Sequence, residues 1–264
     1  MLISLLTDFG TADYFVGAMK GAILSVNADA RIVDITHEIP PQDIEAGAFT
    51  LLQAYKTFPR QTIHLAVVDP GVGSKRRPIL AACENYFFVG PDNGLFSYIL
   101  EQEKNCGVFH LTNEEYFRQP VSATFHGRDV FAPVAGALSK GVEPSAFGEL
   151  ITDFERLAPL APTVLADGEI EARILQIDRF GNCITNLSPG DLTDEMIASG
   201  VCLKVNGHVI KSFRQFFADA KDAGEELFAI RGSAGLLEIA AFQASAARLL
   251  GARRGQKVFV TGRP

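Results

Sequence analysis

From Leu2 to Gly71 the chain alternates short apolar runs with amphipathic stretches, and this alternation restricts the fold more than any other feature. Leu2 to Thr7 is an apolar run suited to a strand buried on both faces. Asp13 can cap a following helix in which Phe15, Met19 and Ile23 recur every fourth residue as one apolar stripe. Arg31 to Thr36 reads as a second strand. Ile44 to Phe58 reads as a helix with Ala48, Leu51, Leu52 and Tyr55 facing inward. Thr62 to Val68 is a third buried strand, ended by Asp69-Pro70-Gly71. The order β-α-β-α-β predicts a largely parallel sheet covered by helices, with right-handed crossovers. Asp8 and Asp69 then both follow carboxyl ends of strands, where ligands collect in such sheets.

Further along, a hairpin-like pair surrounds Glu84-Asn85, a turn falls at Gly90-Pro91-Asp92-Asn93-Gly94, and a helix is expected from about Asp129 to Lys140. The Pro-punctuated segment Leu157-Ala158-Pro159-Leu160-Ala161-Pro162 reads as part of a linker. Beyond it, Glu169 to Ile177 alternates polar and apolar residues, and Asn206-Gly207 marks a two-residue hairpin turn between Cys202 and Ile210. Leu227 to Ile230, Leu236 to Ala240 and Lys257 to Val260 add strands, with an Ala-rich helix near Ala244 to Leu250. The expectation is an α/β N-terminal domain (1–152) with a largely parallel sheet, a linker (153–167), and a smaller, mostly antiparallel β domain (168–264).

A net charge of −7 argues against nucleic acid or anionic membrane as the main partner, since both demand excess Lys and Arg. No apolar run approaches the ~20 residues of a membrane helix, and the N-terminus lacks a basic region or cleavage site. A soluble, cytoplasmic protein is expected. Cys83, Cys106, Cys183 and Cys202 are widely spaced without a C-x-x-C pair, which predicts free thiols in a reducing compartment.

Several residues carry chemistry, each with a plain alternative. Asp69 precedes a proline, and Asp-Pro often starts a turn; two nearby glycines would also let a ligand approach the backbone. Gly71-Val72-Gly73-Ser74-Lys75 lacks the spacing of a phosphate loop or of a dinucleotide fingerprint. Lys75-Arg76-Arg77 fits a solvated surface run, the preferred reading for Lys75 and Arg77. His126, between Phe125 and Gly127, is either a satisfied structural residue or a proton carrier in a tight polar turn. Asp8 in Leu6-Thr7-Asp8-Phe9-Gly10 is a turn residue or a charged acceptor, and Asp178-Arg179-Phe180-Gly181-Asn182 reads as a turn between strands.

Read together, Val67-Val68-Asp69-Pro70-Gly71-Val72-Gly73-Ser74-Lys75-Arg76 and Thr124-Phe125-His126-Gly127-Arg128-Asp129 resemble the signature of the S-adenosyl-L-methionine hydroxide adenosyltransferases, relatives of the fluorinating and chlorinating enzymes. The similarity runs from Thr7-Asp8-Phe9-Gly10 to Leu237-Glu238-Ile239-Ala240. It implies that Asp69, Arg76 and His126 hold and deprotonate one water, and that Asp8 accepts hydrogen bonds from the two ribose hydroxyls. It further implies that Asp178 pairs with the methionine ammonium, Phe180 packs on adenine, Asn182 bonds the adenine edge, and Ser233 holds the methionine carboxylate. The arginine that halogenating relatives place after that serine is Ala234 here. The resemblance implies a homotrimer with its site at the subunit interface. S-adenosyl-L-methionine is then the substrate, adenosine and L-methionine the products, and no cofactor or metal is needed.

Two other classes compete. A metal-dependent nucleotidase or phosphatase would gather a cation with Asp8, Asp69, Asp129 and His126, leaving Arg76 without a role. A non-catalytic nucleoside-binding sensor would use the same pocket without turnover.

Overall fold

A computed structural model describes residues 1–166, 168–220 and 227–262. The chain divides into two compact units, Met1–Ala158 and Pro159–Pro264.

The first unit contains β1 (Leu2–Thr7), α1 (Phe15–Val26), β2 (Arg31–Thr36), α2 (Ile44–Ala54), β3 (Thr62–Val67), β4 (Pro78–Ala82), β5 (Tyr86–Pro91), α3 (Ser97–Gln102), β6 (Gly107–Leu111), α4 (Ala132–Ser139) and β7 (Gly148–Ile151). Its sheet has the order β2-β1-β3-β5-β4-β6-β7. Pairings from β2 to β5 are parallel, but those from β5 through β4 and β6 to β7 are antiparallel. The sheet is therefore mixed rather than largely parallel. Glu84-Asn85 closes a tight hairpin that makes β4 and β5 antiparallel, and β6 and β7 continue antiparallel through tertiary pairing. The run at 44–58 becomes α2 and then a 3₁₀ turn, Tyr55–Thr57.

One face of the sheet (Ile3, Leu5, Ile63, Leu65, Val67) is buried with Met19 and Ile23 of α1 and Val134, Ala135 and Leu138 of α4. Each fully buried aliphatic side chain of this cluster contributes about 1.5–3 kcal/mol. On the other face His64 is fully buried, 2.7 Å from the Ser4 hydroxyl and stacked on Phe88, and burial pushes its imidazole down to about 3. Asp13 does not cap α1; the N-cap is Tyr14, without a side-chain bond. Asp43 caps α2 by accepting from the Ala46 amide at 2.9 Å.

Cys83 and Cys106 form a disulfide, which corrects the expectation of free thiols; Cys183 and Cys202 are unbonded. The antiparallel register of β4 on β6 sets Ala82 opposite Gly107, so the next residue out on each strand is a cysteine. Among the described residues no helix is long and apolar enough to cross a membrane.

The second unit contains β8 (Thr163–Val164), β9 (Ile170–Ile177), β10 (Cys183–Thr185), α5 (Asp194–Ala198), β11 (Cys202–Val205), β12 (His208–Ile210), β13 (Phe213–Arg214), β14 (Leu227–Arg231), β15 (Leu237–Ala241), α6 (Ala246–Leu250) and β16 (Lys257–Thr261). Its strands run in the order β12-β11-β16-β9-β10-β15-β14-β13, with β8 beside β9. All the pairings are antiparallel except β13 on β14, which is parallel, so this sheet is mixed as well. Asn206 and Gly207, both at positive φ, make the hairpin turn between β11 and β12.

Candidate active site

The order β2-β1-β3 places successive crossovers on either side of β1. The carboxyl ends of β1 and β3 therefore lie at the point where the strand order reverses, the position at which such sheets collect ligands. Thr7 pairs with Val67 there, so Asp8 and Asp69 emerge from neighbouring strands. The Asn93 amide donates to the Val68 carbonyl at 2.9 Å and braces the end of β3.

Asp69 and His126 lie 57 positions apart along the chain, and Gly73 brings their loops together. It sits at φ +76°, and a Cβ at this position would collide with the carbonyl oxygen of Ala123. Only glycine permits that approach at that backbone angle. His126 precedes a π-helical turn, Gly127–Phe131, which runs directly into α4. Such turns recur at functional sites because the wider coil re-aims side chains. Asp129 anchors the segment: it is fully buried and accepts from Arg128 at 2.7 and 2.8 Å, Arg118 at 3.1 Å and the Ser122 amide at 3.0 Å. Burial alone would raise its carboxyl, but these donors more than offset that and hold it below the ordinary range.

Asp69, Arg76 and His126 meet. The Arg76 guanidinium forms a two-pronged pair with Asp69, Nε to Oδ1 at 3.1 Å and Nη2 to Oδ2 in close contact. The same Nη2 lies 3.2 Å from His126 Nδ1. Both partners of the ion pair are buried, with side-chain exposures of 7% for Arg76 and 4% for Asp69. The Arg76 carbon also sits 5.3 Å from the Phe131 ring centroid. Arg76 Nη1 is sealed from solvent and has no hydrogen-bond partner. Burial, only partly offset by the charge and hydrogen bonds of Arg76, pushes the Asp69 carboxyl above its usual value. Burial first, and then the Arg76 charge, push the His126 imidazole below its own.

Protonation follows from these contacts. A guanidinium only donates, so the His126 Nδ1 facing it is an acceptor, and in the neutral ring the proton is assigned to Nε2. His126 therefore offers a donor outward, while Asp69 offers a carboxylate of heightened basicity.

Asp8 is partly buried, and its Oδ2 accepts from the Gln42 amide at 2.8 Å. Its loop is pinned by Thr7 Oγ1, 2.9 Å from His37 Nδ1, and by the Gly10 amide donating to the His37 carbonyl at 2.7 Å. A ring of aromatic side chains (Phe9, Tyr14, Phe15, Phe125) stands beside this loop. Arg77 is not solvated as expected: it pairs with Asp92 at 2.7 Å and with Asp153 at 2.8 Å.

In the second unit Asp178, Phe180 and Asn182 share the turn between β9 and β10. Asp178 Oδ1 accepts from the amides of Phe180 at 2.9 Å and Asn182 at 2.8 Å, and Oδ2 accepts from the Asn182 side chain at 2.9 Å. Phe180 is 78% exposed. Gly181 lies against Ser245, where any Cβ would collide with the hydroxyl. These residues line a cleft of about 840 Å³ together with Phe217, Ala241 and Arg248. Ser233 is exposed on the Gly232–Gly235 turn, which joins β14 to β15.

Among the described residues no three of His, Cys, Asp and Glu converge as a metal-binding set. Asp69 and Asp129, two of the carboxylates a nucleotidase would recruit, are instead held by arginines. The sequence gives the glycines after Asp69 a role in admitting a ligand but not the packing of Gly73 on Ala123, the brace from Asn93 or the anchoring role of Asp129.

Comparison with known proteins gives the family. Residues 3–148 match the SAM hydroxide adenosyltransferase N-terminal domain, and residues 172–259 match the C-terminal domain of the same family. The chain belongs to the SAM hydroxide adenosyltransferase family. It is 37% identical to an (R)-S-adenosyl-L-methionine hydrolase of Methanocaldococcus jannaschii, over 94% of this chain and 91% of that one. It is 24% identical to a fluorinase of Actinopolyspora mzabensis, over 98% and 97% of the two chains. The crystal structure of an uncharacterized conserved protein from Thermotoga maritima superposes with a TM-score of 0.89 at 32% identity, covering 98% of this chain and all of that one.

Proposed function

We propose that the protein hydrolyses S-adenosyl-L-methionine to adenosine and L-methionine. The observation that carries this reading is the buried Asp69–Arg76–His126 cluster beside the carboxyl end of β3. Such a cluster suits a reaction whose leaving group is already activated. The sulfonium departs as a neutral thioether, so no acid has to expel it. The protein instead has to supply an aligned nucleophile.

The His126 Nε2–H holds the water oxygen, and Asp69 takes its proton as oxygen attacks the ribose C5′. The new O–C5′ bond forms as C5′–S breaks, and that electron pair leaves on sulfur. Arg76 keeps Asp69 ionised despite burial and favours developing hydroxide nearby. General-base assistance of this kind is worth ~10²–10⁴-fold, and fixed in-line geometry adds more. Asp8 accepts from the ribose hydroxyls, as a charged acceptor suits a vicinal diol. Phe180 covers adenine, Asn182 bonds its edge, Asp178 faces the methionine ammonium and Ser233 the carboxylate. S-adenosyl-L-methionine is consumed as substrate, with no added cofactor. The homotrimer is the proposed working assembly, to be checked by sedimentation velocity.

Incubation with S-adenosyl-L-methionine should release adenosine and L-methionine in equal amounts, undiminished by EDTA. Binding without product over hours would support a sensor, and loss of turnover with EDTA would support a metal-dependent enzyme.

A further inference from the structure

Glu238 is the most conspicuous charged side chain that the scheme above leaves unused. It lies on β15, opposite Ile184 of β10 and Ile230 of β14, and only 7% of it is exposed. It makes no hydrogen bond or ion pair with any described residue. A carboxylate so placed is costly unless a partner arrives, because burial disfavours its charge.

Its surroundings are built to leave it room. A Cβ at Gly232 would collide with Oε1 and Cδ of Glu238, so the glycine opens the space that the carboxylate occupies. Gly232 starts the turn that carries Ser233. Glu238 also feels Asp178: burial raises its carboxyl first, and the Asp178 charge raises it further. Two carboxylates thus stand near one another. Asp178 is already engaged by two backbone amides and the Asn182 side chain, whereas Glu238 is free. The sheet face of Glu238 also carries Phe228, Ile230 and Ala240. Phe217 packs on Phe228 at 6.0 Å and itself lines the cleft with Asp178 and Asn182.

We infer that Glu238 is a specificity-determining residue for a ligand bearing a primary ammonium group, as in the α-amino group of an amino acid. It supplies a counter-charge there in addition to Asp178, whose oxygens are shared with its own turn. This rests on the proposed substrate and deepens it, since a sulfonium lacking that ammonium would leave Glu238 unpaired.

The test is calorimetric binding of S-adenosyl-L-methionine and of its desamino analogue, with turnover stopped by Asp69→Asn. Adding Glu238→Gln, which keeps the shape and removes the charge, should weaken the ammonium-bearing ligand about 10- to 100-fold, the usual worth of a charge-assisted hydrogen bond. The desamino analogue should bind within about threefold of its original affinity, which lies inside the context-dependence of a single contact. Gly232→Ala, which displaces the carboxylate without altering it, should reproduce the same selective loss. Equal losses for both ligands, or no loss for either, would overturn the inference. Separate turnover assays on the otherwise unsubstituted protein keep the two readings apart. Turnover with unaltered discrimination in Glu238→Gln sinks only the role of Glu238. Selective binding without turnover sinks only the hydrolysis.

Discussion

The two units hold their expected functional residues in opposite ways. In the first, the ion pair of Asp69 and Arg76 is sealed, His126 is tethered to it, and three loops are locked by a glycine contact, an asparagine brace and a buried aspartate. In the second, Phe180 stands in solvent beside an open cleft, and most of the polar contacts of Asp178 serve its own turn. A charge that must act on a bond-making step benefits from a dry, preorganised setting, because reorganisation then does not accompany the reaction. Groups that grip a ligand can stay open until it arrives. The contrast fits the proposed division, with the reacting groups and the ribose contact of Asp8 in the first unit and the adenine and methionine contacts in the second.

Substitutions should break that division in a graded order. Asp69→Asn removes the proposed base and should lower kcat by about 10³- to 10⁴-fold; a change below tenfold would end the division. His126→Ala leaves the base but loses the donor that seats the water, and a loss of about 10²-fold in kcat is expected. Gly73→Ala touches no reacting group, yet it forces the 69–76 loop away from Ala123. A decrease in kcat of up to about 10²-fold with a lowered Tm is the expected outcome, since small misplacements of this size are costly. Phe180→Ala should act on the other side of the contrast, raising KM about 3- to 10-fold with little change in kcat, the range of one aromatic contact. A kcat defect equal to that of His126→Ala would merge the two roles.

The pH profile sharpens the same comparison. Asp69 must be ionised to accept a proton, and its carboxyl is raised by burial, so kcat/KM should climb with pH through a limb above the ordinary carboxylate value. Arg76→Met removes the charge that offsets burial and should move the limb further upward. His126 is lowered, so it stays neutral around neutrality and should contribute no limb of its own there. A limb that survives Asp69→Asn would belong to another group.

Much of this was legible in the sequence because it depends on local pattern. Periodicity located β1, α1, β2 and β3, and the strand ends located Asp8 and Asp69. Long-range geometry was not legible. Nothing in the spacing of Cys83 and Cys106 discloses that β4 and β6 pair in the register that apposes them. Asp13 looked like a cap, but Tyr14 occupies that position and the helix starts without a side-chain bond. Arg77 looked solvated because its partners, Asp92 and Asp153, are far along the chain. The hairpin at Glu84-Asn85 was visible, yet its consequence for the rest of the sheet was not, since β6 and β7 continue antiparallel only through tertiary pairing.

The most direct measurement follows the oxygen. Turnover of S-adenosyl-L-methionine in ¹⁸O-labelled water, with mass analysis of the nucleoside, should place the label in the 5′-hydroxyl of adenosine and none in methionine. Unlabelled adenosine, or label in methionine instead, would contradict attack by a water held between Asp69 and His126.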